Sequence, residues 1–254
     1  MSQPRVLFHI VNSLRFGGAE QFVVNMLRYH DRTRYFPVCI CLRAPMGMHL
    51  EAAVQQIGVP LYFLEISAKP LSWLHNTKLN ALFKKYKPTV VHTHLGGINY
   101  AFLMAIRHRT PVRVHTVHSL AEQEIGSGHN RRVRLLAFKY RLGSFTPVAI
   151  AEKVASSFAA LYNYHNQVLI PNGIPTDVFT PDTVVRQRMR QKLQVEPQTF
   201  VFIHVGRIDA NKNQGMLISA FSRLCASESV PMELWLVGDG DLLEAAQQQP
   251  EPWE

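Results

Sequence analysis

Two cations five residues apart, Arg207 and Lys212, follow an apolar run, Phe200 to Val205, and a single glycine, Gly206. A guanidinium pairs bidentately with phosphate and an ammonium adds a mobile point charge, so this pair suits a diphosphate better than a carboxylate. The apolar run reads as a buried parallel strand, the segment Gly206 to Asn211 as a turn, and a helix begins near Asn213. In doubly wound α/β folds, ligands gather outside the carboxyl ends of such strands, where helix N-termini favour anions. The pattern therefore points to a nucleotide-diphosphate site; the plain alternative is two solvated surface cations.

Other residues are placed for chemistry along the chain. Gly17-Gly18 follows the first apolar strand and opens a helix, but the third glycine of the dinucleotide fingerprint is absent, which argues against a nicotinamide cofactor. His92 and His94 fall on one face of a strand and could join His115 and His118 in a metal cluster. Histidines on a buried strand more often satisfy backbone carbonyls, so no metal is expected there. His118 differs because it stands at the carboxyl end of its strand, where sites form. Asp239-Gly240-Asp241 could bind a divalent cation, but an ordinary glycine turn after a strand is the reading preferred, because Arg207 and Lys212 already supply positive charge. In the basic stretch Arg131 to Arg141, Val133, Leu136, Ala137 and Tyr140 recur at helical spacing. It reads as a packed surface helix with solvated cations, or as a contact for anionic lipid or a charged acceptor.

The elements that position these residues alternate. Strands are expected at Val6–Val11, Phe36–Leu42, Val59–Ile66, Val90–Leu95, Val112–Ser119, Pro147–Ala151 and Val168–Ile170. Helices are expected at Ala19–Tyr29, His49–Gln56, Leu71–Tyr86, Ile98–Arg107, Arg131–Leu142 and Glu152–Tyr162, with a polar loop over Glu122–Gly128. Alternation of this kind implies parallel pairing with right-handed crossovers. The turn Pro171-Asn172-Gly173-Ile174-Pro175 marks a boundary, so the expected domains are 1–170 and 171–254. The second has helices Val184–Leu193, Gln214–Cys225 and Leu242–Gln249, but only the strands Phe200–Val205 and Met232–Val237. Two strands leave both sheet edges open, so this domain is expected to be incomplete.

Composition narrows the class. Of 254 residues, 47 % are apolar and 18 % charged, as in globular proteins, and no apolar run reaches the roughly 18 residues that span a bilayer. The expectation is a cytoplasmic protein whose three cysteines are buried thiols. Residues 1–170 carry 20 Lys/Arg against 7 Asp/Glu, and residues 171–254 carry 7 against 11. So basic a front half suits an anionic membrane surface or an acidic acceptor; no base-reading motif accompanies it, so nucleic acid is not an expected partner.

Four segments, in order, resemble the family 4 glycosyltransferases, retaining enzymes of the GT-B fold with two Rossmann-like domains facing a cleft. They are Phe16-Gly17-Gly18-Ala19-Glu20; Val91-His92-Thr93-His94 with Thr116-Val117-His118-Ser119; Pro171-Asn172-Gly173-Ile174; and Val205-Gly206-Arg207 through Lys212-Asn213 to Val237-Gly238-Asp239-Gly240. The resemblance implies that Gly17 and Gly18 let a helix approach donor diphosphate and acceptor, that Arg207, Lys212 and Gly238 belong to the donor site, and that His118 lies near the transferred sugar. It implies a nucleotide-sugar donor, a glycan or lipid-linked acceptor, peripheral contact with an anionic membrane, and no metal. The family's pair of glutamates eight residues apart has no counterpart, since Glu244 and Glu251 are seven apart. This chain alone is accordingly expected to turn over weakly or not at all. A nucleotide-sugar epimerase of the same fold and a non-catalytic basic lipid- or glycan-binding module are the alternatives.

Overall fold

The computed structural model describes residues 3–15, 17–66, 77–125, 129–142 and 144–244. In chain order the elements of the first part are β1 (Arg5–Val11), α1 (Gly18–Tyr29), β2 (Tyr35–Cys41), α2 (His49–Gln56), β3 (Leu61–Phe63), α3 (Thr77–Tyr86) and β4 (Val90–His94). There follow α4 (Gly97–Arg107), β5 (Val112–Val117), α5 (Ala121–Ile125), α6 (His129–Arg141), β6 (Thr146–Ala149), α7 (Glu152–Tyr162) and β7 (Val168–Leu169). The rest contains α8 (Thr183–Lys192), β8 (Phe200–Val205), α9 (Gln214–Ser227) and β9 (Met232–Val237). The chain groups into two compact units, Met1–Thr176 and Asp177–Glu254.

The first unit is a seven-stranded sheet, parallel at each of its pairings, in the order β3-β2-β1-β4-β5-β6-β7. Side chains alternate between its faces. Phe8, Ile10, Val38, Ile40, Val91 and Val117 join one cluster with Leu79 and Phe83 of α3, Ala101 of α4, Tyr140 of α6 and Phe158 of α7. Val11, Cys39 and Cys41 join the other, under Val23, Val24 and Leu27 of α1 and Leu50 and Val54 of α2. Each fully buried side chain of this size contributes about 1.5–3 kcal/mol.

The structure corrects several expectations. The strand expected at Val59–Ile66 is regular only over Leu61–Phe63, because Glu65 adopts a left-handed φ of 55° that ends the extended run. Ala121–Ile125 is a short helix rather than loop; Glu122 and Glu124 lie in its first turn, where carboxylates suit the exposed N–H groups. Residues 67–76, 126–128 and 245–254 lie outside the described part, and with them the start of the Leu71–Tyr86 helix, most of Leu242–Gln249, and Glu251. Cys39 and Cys41 are buried, but Cys225 is exposed on α9.

The second unit holds β8 and β9 paired in parallel, Phe200 opposite Met232 through Val205 opposite Val237. β8 is parallel as expected but not buried, with Phe200, Ile203 and Val205 exposed by 59, 60 and 72 %. A two-stranded sheet with one helix beside it leaves most of its faces open, which is why the apolar pattern did not translate into burial. Asp182 caps α8, accepting from the Val185 N–H at 2.9 Å.

One close approach sets the geometry at the centre of the large sheet. A Cβ on Gly97, the first residue of α4, would lie 2.5 Å from the Ile10 carbonyl oxygen of β1. Backbone cannot yield as a side-chain tip can, so Gly97→Ala is expected to destabilise the chain by about 1–3 kcal/mol. A lower urea midpoint at unchanged denaturant slope would register that loss.

Candidate functional site

In the first unit the chain turns back between β1 and β4, and in doubly wound sheets such a switch point is where ligands bind, outside the carboxyl ends. The structure brings Gly17, Gly18 and His118 to this edge. Gly17 caps α1 in extended conformation, and Gly18 opens the helix with nothing within 4 Å of where a Cβ would stand. Phe22, one turn further on, packs its ring 5.6 Å from that of His118 and 6.4 Å from that of His94. α1 therefore both offers its N-terminus and roofs the histidines.

His118 lies just past β5, where the Glu124 carboxylate of α5 accepts from its backbone N–H at 2.5 Å and from that of Ser119 at 3.2 Å. Burial lowers its pKa to about 4, Glu124 pulling the other way and His115 adding to the fall. Its ring Nε2 sits 3.0 Å from His94 Nδ1. His94 Nε2 in turn meets His9 Nδ1 at 3.1 Å, and His9 Nε2 meets His30 Nε2 at 3.0 Å, where α1 ends. His92 stands beside this row, its Nε2 2.7 Å from Thr116 Oγ1. Burial and neighbouring histidines hold His92 near a pKa of about 3, and burial carries His9 and His94 well below the ordinary value.

This differs from the expected arrangement in two respects. The histidines bond to one another and to Thr116 rather than to backbone carbonyls. His115 shares the register of Thr93, bonds to its Oγ1 at 2.9 Å and so belongs to the opposite face. The metal-type grouping among the described residues is instead His9, His92 and His94, with ligand-type atoms within 4.8 Å of one another. His9 and His94 direct their facing nitrogens into a mutual hydrogen bond, which an ion would have to displace.

Sequence reasoning missed His9 and Glu124. The signal for His9 was a lone imidazole in an apolar strand, and its register with His92 appears only once β1 and β4 pair. A recess of about 510 Å³ at the other, amino-terminal edge, among Lys84, Lys87, His108 and Arg109, shows that volume alone would point away from these residues.

In the second unit, Arg207 follows β8 with its side chain 69 % exposed and its Nε 2.7 Å from Asp209 Oδ2. The same carboxylate accepts from the Lys212 N–H at 3.1 Å through Oδ1. Asp209, also missed, thus ties the Arg207 guanidinium and the Lys212 backbone to one turn. Lys212 folds back over Gly206, its Cε 3.9 Å from where a Cβ there would be. α9 begins here, Asn213 capping the Met216 N–H at 3.4 Å. Gly238 has φ 155°, and a Cβ on it would collide with the Gly206 carbonyl. Backbone packing between β8 and β9 therefore demands a glycine at 238 whatever else it does.

The sequence model of Glycosyltransferase Family 4 matches residues 16–178. The chain belongs to glycosyltransferase family 4. Among its relatives in the family, EpsF of Bacillus subtilis, whose name places it among glycosyltransferases, is 26 % identical over 262 residues, 98 % of this chain and 66 % of that protein. The UDP-Gal:alpha-D-GlcNAc-diphosphoundecaprenol alpha-1,3-galactosyltransferase of Escherichia coli is 27 % identical over 216 residues, 78 % of this chain and 52 % of that one. The chain therefore spans less than two thirds of the curated relatives it matches. The crystal structure of Anabaena HepE with UDP and glucose is similar in fold, with a TM-score of 0.75 and 17 % identity over 96 % of this chain and 63 % of that one. The family 4 chain thus has the GT-B type of fold.

The buried histidines make the family 4 chain sensitive to acid. A folded-state pKa below the unfolded 6.5 means the unfolded chain binds more protons as pH falls, so stability present above 6.5 is lost on acidification toward 3–4. The unfolding free energy from urea titrations is expected to drop from pH 7 to pH 4, by up to about 1.4 kcal/mol per pH unit for each such histidine. In His92→Gln the drop should be shallower.

Proposed function

We propose that this family 4 chain carries the acceptor-side unit and part of the donor-side unit of a retaining glycosyltransferase. The donor is a nucleotide-diphosphate sugar and the acceptor a glycan or lipid-linked glycan at the cytoplasmic face of a membrane. The observation that carries this reading is the turn after β8, where Asp209 pairs with Arg207 and accepts from the backbone N–H of Lys212 at the start of α9. Breaking the bond from the anomeric carbon to phosphate leaves negative charge growing on the diphosphate. Two cations and a helix N-terminus stabilise that group most when its charge is greatest, which lowers the barrier rather than only tightening binding. With this charge in place no metal is required. In the other unit the N-terminus of α1 at Gly17-Gly18, with the Glu20 carboxylate beside Gly17, and the His118 ring receive the sugar and the acceptor hydroxyl. Support for a UDP donor and an undecaprenol-linked acceptor comes from the name of the E. coli relative, and for a UDP donor from the ligands in the HepE structure.

A membrane-bound acceptor fits one further surface. Val133, Leu136, Ala137 and Tyr140 of α6 pack inward, as their spacing foretold, whereas Leu135, Phe138 and Leu142 on its outer side are exposed by 49, 56 and 59 %. Lys139 is not the solvated cation the sequence suggested. It is buried with its Nζ 3.3 Å from Asn99 Oδ1 and 5.0 Å from the Phe102 ring centre, and burial lowers its pKa to about 8. An apolar stripe on a helix rich in arginine suits the interface of an anionic bilayer. Among the described residues no helix is long and apolar enough to cross one.

Calorimetry with UDP tests the donor site. A charge-assisted hydrogen bond contributes about 1.5–3 kcal/mol, so Arg207→Ala and Lys212→Ala are each expected to raise the Kd about 10-fold or more. Unchanged affinity in both would remove the site. For the membrane face, Leu135→Ser with Phe138→Ser is expected to lower binding to phosphatidylglycerol-containing vesicles about 10-fold. Equal binding to purely zwitterionic vesicles would speak against the lipid reading.

A further inference from the structure

We propose that His30, His9, His94 and His118 form a proton path from the sugar-transfer edge of the first unit to the outer end of α1. The proposal rests on placing transfer at His118, as above, and adds residues that reading does not use.

Three nitrogen-to-nitrogen contacts of 3.0, 3.1 and 3.0 Å join the four rings end to end. The two inner rings, His9 and His94, are fully buried and use both nitrogens, while His30 and His118 are partly buried at the two ends and keep Nδ1 outside the row. A neutral imidazole has one donor and one acceptor. If His9 donates from Nδ1 it must accept at Nε2, so His30 donates; His94 must then accept at Nε2 and donate from Nδ1 to His118. Only two arrangements satisfy all three contacts: every ring donating toward His118, or every ring donating toward His30. Such a row conducts a proton from one end to the other without charging any ring in its resting states.

The surroundings favour neutrality. Burial is the largest influence on all four rings. His30 also feels Arg32 and meets the ring of Tyr35; His9 meets His92; His94 meets His92 and Phe22; His118 meets Phe22 and feels the charges of Glu124 and His115. Two imidazoles with no exposure beside Val11, Cys39 and Cys41 are not what a core of this shape needs, since apolar side chains would fill it without polar atoms to satisfy. A zinc ion held at about 2.0–2.1 Å by three imidazoles would need their nitrogens about 3.3 Å apart and accepting, with none bonded to another. The observed nitrogen-to-nitrogen contacts of 3.0 and 3.1 Å match hydrogen bonds instead.

In the transfer step the acceptor oxygen bonds to the anomeric carbon as the bond from that carbon to the diphosphate oxygen breaks, and its electron pair leaves on the diphosphate. The hydroxyl proton passes to His118 Nδ1. His118 gives its Nε2 proton to His94, His94 to His9 and His9 to His30, which releases its Nδ1 proton to water. The donor order is now reversed. It is restored when a proton from water enters at His30 and the row hands one from His118 to the departing diphosphate, which leaves monoprotonated.

Nitrogen-15 NMR of the chain labelled at histidine tests the path. When His30 protonates, both its nitrogens become donors, which forces the order that leaves His118 as the Nδ1–H tautomer. Between pH 7.5 and 5 the ratio of Nδ1–H to Nε2–H at His118 is expected to rise about ten-fold, the scale that one unmade buried hydrogen bond enforces, following the titration of His30. The response should vanish in His9→Phe, and equally in His30→Phe should the buried change prevent folding. Couplings across the three hydrogen bonds should link the four rings. A His118 tautomer indifferent to His30, or one equivalent of zinc bound to the purified chain with those couplings lost, would overturn the path. UDP-galactose that leaves the His118 signals unmoved while the link to His30 persists would remove the transfer site and so the task of the path, a failure distinct from a broken row.

Discussion

The register of β1, β4 and β5 at the centre of the large sheet is the constraint on which the other features depend. His9 stands opposite His92, Ile10 opposite Thr93, and His94 opposite Thr116. Side chains alternate with period two, so a slip of one residue would send His9 into the cluster of Phe8, Phe83 and Val91, and drive Ile10 toward His94. Apolar burial on both faces therefore fixes where the imidazoles meet. The approach of Gly97 to Ile10 seats α4 against the same strand, so one set of pairings sets both the core and the functional edge.

Much of this was legible because it is local. Helices α2 and α7 run over the spans that periodicity indicated, and so do strands β8 and β9, since a repeat of 3.6 or 2 with glycine or proline at its ends carries its own evidence. Gly17, Gly18 and His118 reach one sheet edge because each follows a strand, and parallel strands in crossover connection all end on the same side. What the sequence concealed is what depends on neighbours distant along the chain. His9 in Val6-Leu7-Phe8-His9-Ile10-Val11 looks like one polar residue in a core strand, and nothing nearby announces that His94, 85 positions on, will meet it. Glu124 sat in what read as loop, and its value as a cap for His118 and Ser119 exists only after α5 has turned back. The exposure of Phe200 and Val205 was hidden for the same reason, because burial of a strand is a property of the sheet around it.

The two units handle charge in opposite ways. Residues 1–170 carry a surplus of 13 cations, yet the imidazoles at the edge with Gly17 and His118 are kept neutral by burial, while cations stand exposed, as at Arg15, Lys84, Lys87 and Arg109. The second unit has an acidic balance and still presents Arg207 and Lys212 on one turn, with Asp209 paired to the Arg207 guanidinium and bonded to the Lys212 backbone. Net charge thus describes where each unit is attracted, and local geometry describes what it can do.

That division has a chemical logic under the proposed sugar transfer. A cation beside the acceptor hydroxyl would compete for the diphosphate and bind the ground state, gaining affinity without speed. In the proposed reaction the growing charge falls to the groups on the turn after β8, and the imidazoles of the first unit stay neutral. On the proposed reading the proton lost by the acceptor goes where no charge has to reside, and a row of imidazoles would meet that demand in a way that a single buried histidine, with its pKa lowered to about 4, would not. The depressed basicity that would make His118 a poor isolated base is the same property that keeps the row neutral at rest, so burial serves the transfer only because the four rings are joined.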